Sequence, residues 1–447
     1  MPNSEKKISC EALHHSIYLA PNEFRHCCKR FFYKGKMKGD VKILDINNDQ
    51  DVTIENIIES KKQLYNKINS GKENECTGCP YLHKKKWPKI NKKNFNLKQI
   101  SVESTSVCSM KCTYCSDMYF GGLKPNYNVS KTLDLLLEYK SEGNDFEFSW
   151  AGGEPTLLKN FEELFQKYST SFKPRKNMVF SNSLKYSKAI ELYLSKNLAT
   201  LTTSIDAGTP GMFKKIRGVK GISKVFMNIK KYSSFAYKKN GLCRNIIIKY
   251  IVTDENISKQ EIDTFIENIK SYKLEHCSFQ ISSNFFDEKL TEFQIEKMLE
   301  FFVKLKSIGV QMVYFDYHSS PRMRIGINKL FQSINKIKSP ILIKLYNRIL
   351  KQGTKDVIIW GAGDTGRLIK NNNFFFNKKI FNIKNYVDKN SLLIGEFLNG
   401  VEIKDISFIK ENNYPIIVAS SAFYDEIYSE ILEREINPDR ILDQIYC

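Results

Sequence analysis

The chain has 447 residues, a formal net charge of +20, and a composition that is 42% hydrophobic and 13% aromatic. This length and apolar content predict two or three globular domains with buried cores. Apolar runs stay short of the roughly eighteen residues of a membrane span, and the polar start Met1–Lys7 lacks a signal-peptide-like segment, so we expect a cytoplasmic protein without a membrane span. Eleven cysteines in a reducing compartment favour metal ligands over disulfides.

The positive charge comes from lysines that are spread along the whole chain. This spread indicates solvated faces and disfavours a nucleic-acid partner, which would be bound through neutralised phosphates. His83–Lys86 and Lys92–Lys93 are the short clusters best suited to a phosphate-bearing small-molecule substrate.

The order of motifs predicts four segments. Residues 1–95 hold five cysteines and end in a Lys-rich linker, residues 96–320 alternate β-rich and amphipathic helical runs, residues 321–354 form a helical connector, and residues 355–447 begin with a new strand. The alternation predicts an α/β fold, with parallel strands joined by crossover helices. Six strands are expected in the second segment: Ile100–Glu103, Phe146–Trp150, Met178–Ser181, Leu201–Ile205, Ile246–Val252 and Ser278–Ile281.

Three cysteines after the first of these strands form the most informative motif. Cys108, Cys112 and Cys115 stand at spacings of four and three, and their thiolates can ligate three corners of one iron–sulfur cube. The fourth iron is then open to a cofactor or substrate. A zinc knuckle or incidental cysteines are the alternatives, but zinc usually takes two close pairs of ligands and no fourth ligand is adjacent.

With the aromatic Tyr114 just before its third cysteine, this motif resembles the signature of the radical S-adenosylmethionine (SAM) superfamily. The resemblance implies a partial (β/α)6 TIM-type barrel with the cysteine loop at the carboxyl ends of the strands, where barrel chemistry lies. It also implies that the open iron chelates SAM, that reduction cleaves the sulfonium, and that a 5′-deoxyadenosyl radical abstracts hydrogen from a substrate. An external one-electron reductant such as flavodoxin or ferredoxin is implied as a partner.

The same resemblance places SAM contacts at the ends of three strands and one helix: Gly152, Gly153, Glu154, Asn182, Ser204, Asp206 and Arg217. Adjacent glycines permit close ligand approach, and a carboxylate suits the SAM ammonium group. Ser204 and Asp206 are implied to contact the ribose and Arg217 the methionine carboxylate. Without the cysteine triplet, Asp206 would be an ordinary cap and Arg217 a solvated charge.

Five further cysteines precede the barrel segment: Cys10, Cys27, Cys28, Cys76 and Cys79. With a Pro-Asn turn at Pro21–Asn22, their order resembles the twitch or SPASM-like auxiliary-cluster module, although that module usually follows the barrel. The resemblance implies an auxiliary [4Fe–4S] cluster held by Cys10, Cys76, Cys79 and one of Cys27 or Cys28. Structural zinc is the alternative, with His26 or His83 as a possible substitute ligand. Three cysteines are expected to be unligated: Cys243, Cys277 and Cys447.

A glycine motif opens the last segment. The strand that ends at Trp360 is followed by Gly361, Gly363 and Gly366 in a G-x-G-x-x-G pattern, and Asp388 comes 22 residues after the last glycine. This context predicts a small Rossmann-like α/β domain in which a helix N-terminus receives a phosphate and the acid contacts a ribose. The segment resembles short nucleotide-sugar-binding-like domains of surface-polysaccharide pathways. A degenerate domain that serves only as a docking surface is the alternative.

These motifs favour a radical SAM enzyme that acts on a sugar, a nucleotide-sugar or a related surface-glycan intermediate. A peptide maturase, a tRNA-modifying enzyme and a non-enzymatic iron–sulfur sensor or scaffold are the alternatives.

Overall fold

The computed structural model describes residues 6–115, 121–142, 146–316, 318–332, 339–350, 355–363, 366–367, 369–370, 374–377, 379–420, 424–437 and 440–442. Cys447 therefore lies outside the described residues. The chain folds as two compact units, the first of residues 1–205 with 209–248 and the second of residues 206–208 with 249–447. Over the described ranges, no helix has both the length and the apolar character that a membrane crossing requires.

The first unit begins with short strands around the cysteine-rich segment: β1 (Lys7–Ser9), β2 (Ser16–Leu19), β3 (Glu23–Arg25), β4 (Arg30–Tyr33), β5 (Lys36–Gly39), β6 (Lys42–Asp45) and β7 (His83–Lys85). Its later strands are β8 (Gln99–Val102), β9 (Glu147–Trp150), β10 (Asn177–Phe180), β11 (Ala199–Ser204) and β12 (Cys243–Val252), which continues into the second unit. Its helices are α1 (Glu11–His15), α2 (Ile54–Ile68), α3 (Val129–Leu137), α4 (Phe161–Phe172), α5 (Lys188–Ser195), α6 (Pro210–Arg217) and α7 (Ile222–Phe235).

The main sheet of this unit has the strand order β12-β11-β10-β9-β8-β2-β3-β6. The neighbours from β11 to β2 pair in parallel, and β3 runs antiparallel to β2 and to β6. The parallel run confirms the predicted α/β class. All six predicted strands are present within three residues of their expected ends.

The cysteine-rich segment contributes strands to this same sheet. The β2–β3 hairpin forms around Pro21–Asn22 as expected, with Leu19 opposite Phe24. Strand β2 also pairs in parallel with β8, from Ser16 opposite Gln99 to Leu19 opposite Val102. The sheet therefore runs across the boundary predicted near residue 95, because pairing between distant strands leaves no local signal in the sequence.

Aromatic side chains pack one face of this sheet against helix α4. Phe148 and Trp150, two residues apart on β9, point to the same side because strand side chains alternate. The Phe148 ring centroid lies 4.9 Å from that of Phe172, and Trp150 lies 5.5 Å from Phe161 and 5.9 Å from Phe165. All five rings are buried. Burial of large apolar rings is the dominant stabilising contribution of such a layer.

The second unit holds the end of β12 and two further groups of strands: β13 (Cys277–Ser283), β14 (Val313–Phe315), β15 (Lys355–Trp360), β16 (Phe381–Asp388), β17 (Phe397–Leu398), β18 (Val401–Asp405), β19 (Ile416–Val418) and β20 (Ile441–Leu442). Its helices are α8 (Lys259–Tyr272), α9 (Glu292–Ser307), α10 (Ser319–Gln332), α11 (Pro340–Leu350), α12 (Phe374–Asn377) and α13 (Tyr424–Glu433). The predicted connector thus contains α10 and α11, and residues 333–338 and 351–354 of it lie outside the described residues.

Two sheets organise this unit. In the first, β14-β13-β12 are neighbours, with β13 parallel to β14. In the second, the order is β17-β18-β16-β15-β19-β20, all parallel except β17. The central strand β15 comes first in the chain, and later strands are added on one side and then on the other. This is the strand order of a doubly wound sheet, whose crevice lies where the winding direction changes.

Truncation of Phe148 to Ala should destabilise the first unit, because the removed ring is fully buried. Such core truncations cost about 3–5 kcal/mol through lost burial and the cavity left behind. Phe235→Ala is the matched control, since that ring is 54% exposed at the end of α7, and it should change stability by less than about 0.5 kcal/mol. Guanidinium unfolding followed by circular dichroism measures both, and equal midpoints would contradict the packing described.

Candidate functional site

A loop that carries three cysteines follows β8 and is fixed by backbone hydrogen bonds. The Lys111 N–H donates to the Arg217 carbonyl at 2.9 Å, and the Thr113 N–H donates to the Ile216 carbonyl at 2.9 Å. The end of α6 therefore positions the middle of the cysteine loop. A tight turn at its end brings the Cys115 N–H to 3.0 Å from the Cys112 carbonyl.

The thiols of Cys108, Cys112 and Cys115 form no disulfide bond and are half-buried. Burial raises the pKa of Cys115 to about 11, and the charges of Cys112 and Cys108 add to this rise, so the three sulfurs act on one another electrostatically. The Arg217 guanidinium acts in the opposite direction and favours the thiolate forms of Cys108 and Cys115. Three mutually close thiols beside a cation suit a metal cluster, which binds the thiolate form.

Gly152 and Gly153 follow β9 and lie directly against the cysteine loop. The Gly153 N–H donates to the Thr105 carbonyl at 2.7 Å, and the Glu154 N–H donates to the Val107 carbonyl at 2.9 Å. A Cβ atom on Gly153 would lie 2.5 Å from the Val107 oxygen, and one on Gly152, whose φ is +97°, would lie 2.7 Å from the Thr105 oxygen. The glycines are thus required for backbone-to-backbone contact between the two loops, in addition to the ligand approach that the sequence suggested.

The Glu154 carboxylate is buried at the centre of a hydrogen-bond network. Oε1 accepts from the Thr156 hydroxyl at 2.6 Å, the Thr156 N–H at 3.2 Å and the Ser181 hydroxyl at 2.8 Å. Oε2 accepts from the Asn182 N–H at 2.7 Å. Burial raises the pKa of Glu154, and these hydrogen bonds oppose the rise. Because Oε1 is fully used and Oε2 accepts one described bond, Oε2 retains capacity for a further donor.

Asn182 joins this network to the cysteine loop. Its side-chain amide donates to the Ser109 hydroxyl at 3.1 Å and lies 3.6 Å from the Cys108 sulfur. Thr156 and Ser181, whose side chains fix Glu154, were not predicted from the sequence as residues of this site. Thr156 stands two residues after the acid, which is a hydrogen-bonding pattern that could have identified it.

Arg217 and Tyr114 meet at the other side of the loop. The guanidinium donates to the Tyr114 hydroxyl and to the Met110 sulfur, the latter at 3.2 Å, and it is almost fully buried. A solvated helix charge is therefore excluded for Arg217. Arg217 lies beside the thiols, which is compatible with a contact to the methionine carboxylate of SAM. That contact stays a prediction.

Ser204 and Asp206 come at and just after the end of β11. Ser204 is the last residue of that strand and is half-buried. Asp206 is fully buried with a φ of +61°, and its Oδ1 accepts from the Ile251 N–H at 2.6 Å. The carboxylate thus fixes a strand backbone, and ribose contacts for both residues stay predictions.

Four of the five remaining candidate cysteines surround a second site. Cys10, Cys27, Cys76 and Cys79, together with His26 and His83, line a cavity of about 150 Å³. Burial raises the pKa of Cys76, and the charges of Cys27, Cys10 and Cys79 add to the rise, so these thiols also converge. Nδ1 of His26 is buried and has no hydrogen-bond partner among the described residues. This donor set fits a thiolate-bound metal group.

Cys28 points elsewhere. Its thiol accepts a hydrogen bond from the Tyr18 hydroxyl and faces the Glu103 carboxylate. Burial raises the pKa of Cys28 to about 12, with Glu103 adding to the rise. The structure thus brings Cys27, and not its neighbour, to the four-thiol cavity.

Within the ranges that the structure describes, no group of three His, Cys, Asp or Glu side chains is arranged to hold one metal ion. Thiolates ligate both zinc and iron–sulfur clusters, so the kind of metal group at each cysteine site stays a prediction.

Two glycines of the motif in the second unit, Gly361 and Gly366, lie against each other after β15. The Gly361 φ is +112°, and a Cβ on Gly366 would lie 2.0 Å from the Gly361 oxygen. Asp388 accepts from the Ala362 N–H at 2.7 Å and from the Asn390 N–H at 2.9 Å. Its carboxylate therefore braces the loop, while Gly363 is exposed. Nucleotide contacts by these residues stay predictions.

Comparisons with known proteins agree with the first of these sites. Residues 102–260 match the model of the Radical SAM superfamily, and residues 353–442 match a model described as C2185-like, N-terminal. The chain is 25% identical over 172 residues to GTP 3′,8-cyclase of Vibrio parahaemolyticus, and 24% identical over 168 residues to that of Haemophilus influenzae. Each alignment covers 37% of this chain and 48% of the relative, so the chain spans about half the length of these curated relatives.

Among solved structures, Streptococcus suis SuiB bound to S-adenosylmethionine is similar, with a TM-score of 0.38 and 13% identity over 50% of this chain and 52% of SuiB. The superfamily match shows that the chain carries a radical SAM domain. It confirms the predicted enzyme domain and its cofactors, a [4Fe–4S] cluster and SAM.

Gly153→Ala should abolish cluster binding at the cysteine loop, because its new methyl group would collide with the Val107 carbonyl. The test uses anaerobic reconstitution of a chain with Cys76→Ala and Cys79→Ala, so that only the loop binds iron. We expect about four irons per chain in the parent and at most a tenth of that in the variant. Gly211→Ala is the control, because the nearest atom to its added Cβ is Thr209 Oγ1 at 4.0 Å. Full iron in the Gly153 variant would refute the contact.

Proposed function

We propose that this chain, which carries a radical SAM domain over residues 102–260, is a radical SAM enzyme that removes hydrogen from a sugar-linked or nucleotide-linked small molecule. The observation that carries the proposal is the pair of hydrogen bonds from Gly153 and Glu154 to the cysteine loop. They hold an acid that can accept from an ammonium group beside three thiols that can hold three irons. Such an enzyme needs an external one-electron reductant.

With the cluster and SAM bound, reductive cleavage of SAM supplies a 5′-deoxyadenosyl radical for hydrogen abstraction. The residues of this chain bind and orient. Cys108, Cys112 and Cys115 would hold the cluster, and Oε2 of Glu154 would accept from the SAM ammonium. The Arg217 guanidinium lies beside the same thiols and suits the methionine carboxylate. Asn182 fixes the acid and the first cysteine together.

The proposal includes a partial (β/α)6 barrel formed by β8 to β13. It also includes the segment boundaries expected after residues 95, 320 and 354. Support comes from the parallel pairing of β8 to β11 and from the position of the cysteine loop directly after β8. Reactive groups of parallel barrels lie at the carboxyl ends of strands. Ser204 ends β11 on that side, which supports its proposed contact with the ribose.

An auxiliary [4Fe–4S] cluster is proposed for the four-thiol cavity, with Cys10, Cys27, Cys76 and Cys79 as ligands. The convergence of these thiols on one cavity supports it. Cys28 is left out because its thiol is engaged by Tyr18.

The substrate class is proposed from the second unit and from the relatives. The doubly wound order of β15 to β20 and the glycine motif of Gly361, Gly363 and Gly366 are typical of Rossmann-like domains that bind nucleotides at a helix N-terminus. The curated relatives are named for GTP, which is a nucleotide. Both features favour a nucleotide-linked substrate over a peptide.

Replacing Cys108, Cys112 and Cys115 by Ala should abolish SAM cleavage, because no open iron remains to bind SAM. The measurement is 5′-deoxyadenosine formed by reconstituted protein under dithionite, and we expect a loss of at least a hundredfold. Cys243→Ala is the matched control, since its thiol is buried in β12 and hydrogen-bonds to Asn245. Undiminished cleavage by the triple variant would contradict the proposed function.

The auxiliary cluster is tested in that triple variant, which should keep about four irons per chain. Adding Cys27→Ser should remove most of this iron, because Cys27 faces the cavity. Adding Cys28→Ser should leave it in place. Metal analysis by mass spectrometry distinguishes the cases, and zinc without iron in the triple variant would refute the cluster.

A further inference from the structure

Helix α2 carries a lysine on its buried face. Lys61 is fully buried, and its ammonium donates to the Leu13 carbonyl at 2.8 Å and to the Ser16 carbonyl at 2.7 Å. An ammonium has three N–H donors. The two described bonds leave one donor for another acceptor, and the charged groups that act on this lysine among the described residues are thiols and not carboxylates.

The four-thiol cavity lies next to this ammonium. Leu64 and Ile68, which follow Lys61 on the same face of α2, pack in one buried cluster with Cys10, Cys27 and Cys76. Leu13 links the two groups, since its carbonyl accepts from Lys61 and its N–H donates to the Cys10 sulfur at 3.4 Å. The thiols whose charge acts on Lys61 are those of Cys10 and Cys27.

A buried cation without a carboxylate is costly in a folded protein, and a neutral side chain of similar length would avoid that cost. The cost is offset if an anion binds nearby. Four thiolates outnumber the positive charge of an oxidised [4Fe–4S] core, so the bound cluster is an anion. Reduction adds another negative charge, which a cation in the low-dielectric interior stabilises further.

We propose that Lys61 is the countercharge of the auxiliary cluster and that it raises the reduction potential of that cluster. The inference rests on the proposed [4Fe–4S] cluster in the four-thiol cavity. Lys61 is thus a positioning and tuning residue, which acts on the cluster through its charge and does not ligate it.

The test is a potentiometric titration followed by electron paramagnetic resonance, in the full chain with Cys108, Cys112 and Cys115 replaced by Ala. Lys61→Met removes the charge and keeps the length of the side chain. We expect the reduction equilibrium constant to fall at least tenfold, which is about 59 mV for a one-electron couple. Lys61→Arg should stay within threefold of the parent. Lys62→Met is the control on the same helix, because that side chain is 53% exposed and pairs with Glu59 at 3.3 Å.

Iron content and the thermal midpoint are measured for every variant. Equal potentials in the parent and Lys61→Met would overturn the inference. If Lys61→Met holds no iron while Lys61→Arg does, the requirement for a positive charge is supported. Loss of iron in both variants would indicate a purely structural lysine and would overturn the inference. The iron content of the parent is measured before any Lys61 variant is compared. If the parent holds no iron, the proposed auxiliary cluster itself is overturned.

Discussion

Direct backbone contact between the cysteine loop and the Gly152–Gly153 turn is the constraint on which the first unit depends. The N–H groups of Gly153 and of the next residue, Glu154, donate to two carbonyls of the loop, and neither glycine position has space for a Cβ atom. The contact holds the backbone of the thiol loop against the backbone that carries Glu154. The side chains of Thr156 and Ser181 and the N–H of Asn182 then fix the carboxylate, whose Oε2 stays available for a ligand.

Charge is distributed in the same manner at both cysteine sites. Each places thiols whose pKa values are raised by burial near a buried basic side chain, Arg217 at the loop and Lys61 at the four-thiol cavity. Burial disfavours thiolates, and a neighbouring cation favours them. A site built in this way is costly when empty and is stabilised when an anionic cluster binds.

Much of this arrangement could be predicted from the sequence, because its signals are local. The spacing of Cys108, Cys112 and Cys115 and the two adjacent glycines lie within short segments, and strand periodicity located the parallel run. The burial of Lys61 could also have been recognised from the sequence. This lysine stands within the apolar stripe that Ile54, Ile57, Leu64 and Ile68 form along α2.

Other features depend on contacts between distant segments. Cys27 lines the cavity with Cys10, Cys76 and Cys79, whereas Cys28 faces Tyr18 and Glu103, so the choice between them depends on segments far away in the chain. The pairing of β2 with β8 and the bond from Ile251 to Asp206 join residues that are far apart in the chain. No single-segment pattern specifies such contacts, which explains why the boundary near residue 95 does not separate two sheets.

The most direct test of the central claim is whether SAM reaches the cluster of the cysteine loop. A full-length chain with Cys76→Ala and Cys79→Ala keeps only that cluster, and its reduced form is examined by electron paramagnetic resonance with and without SAM. We predict that SAM changes the principal g values, because its ligation alters the coordination of the open iron. Superimposable spectra from protein that holds about four irons per chain would contradict the account.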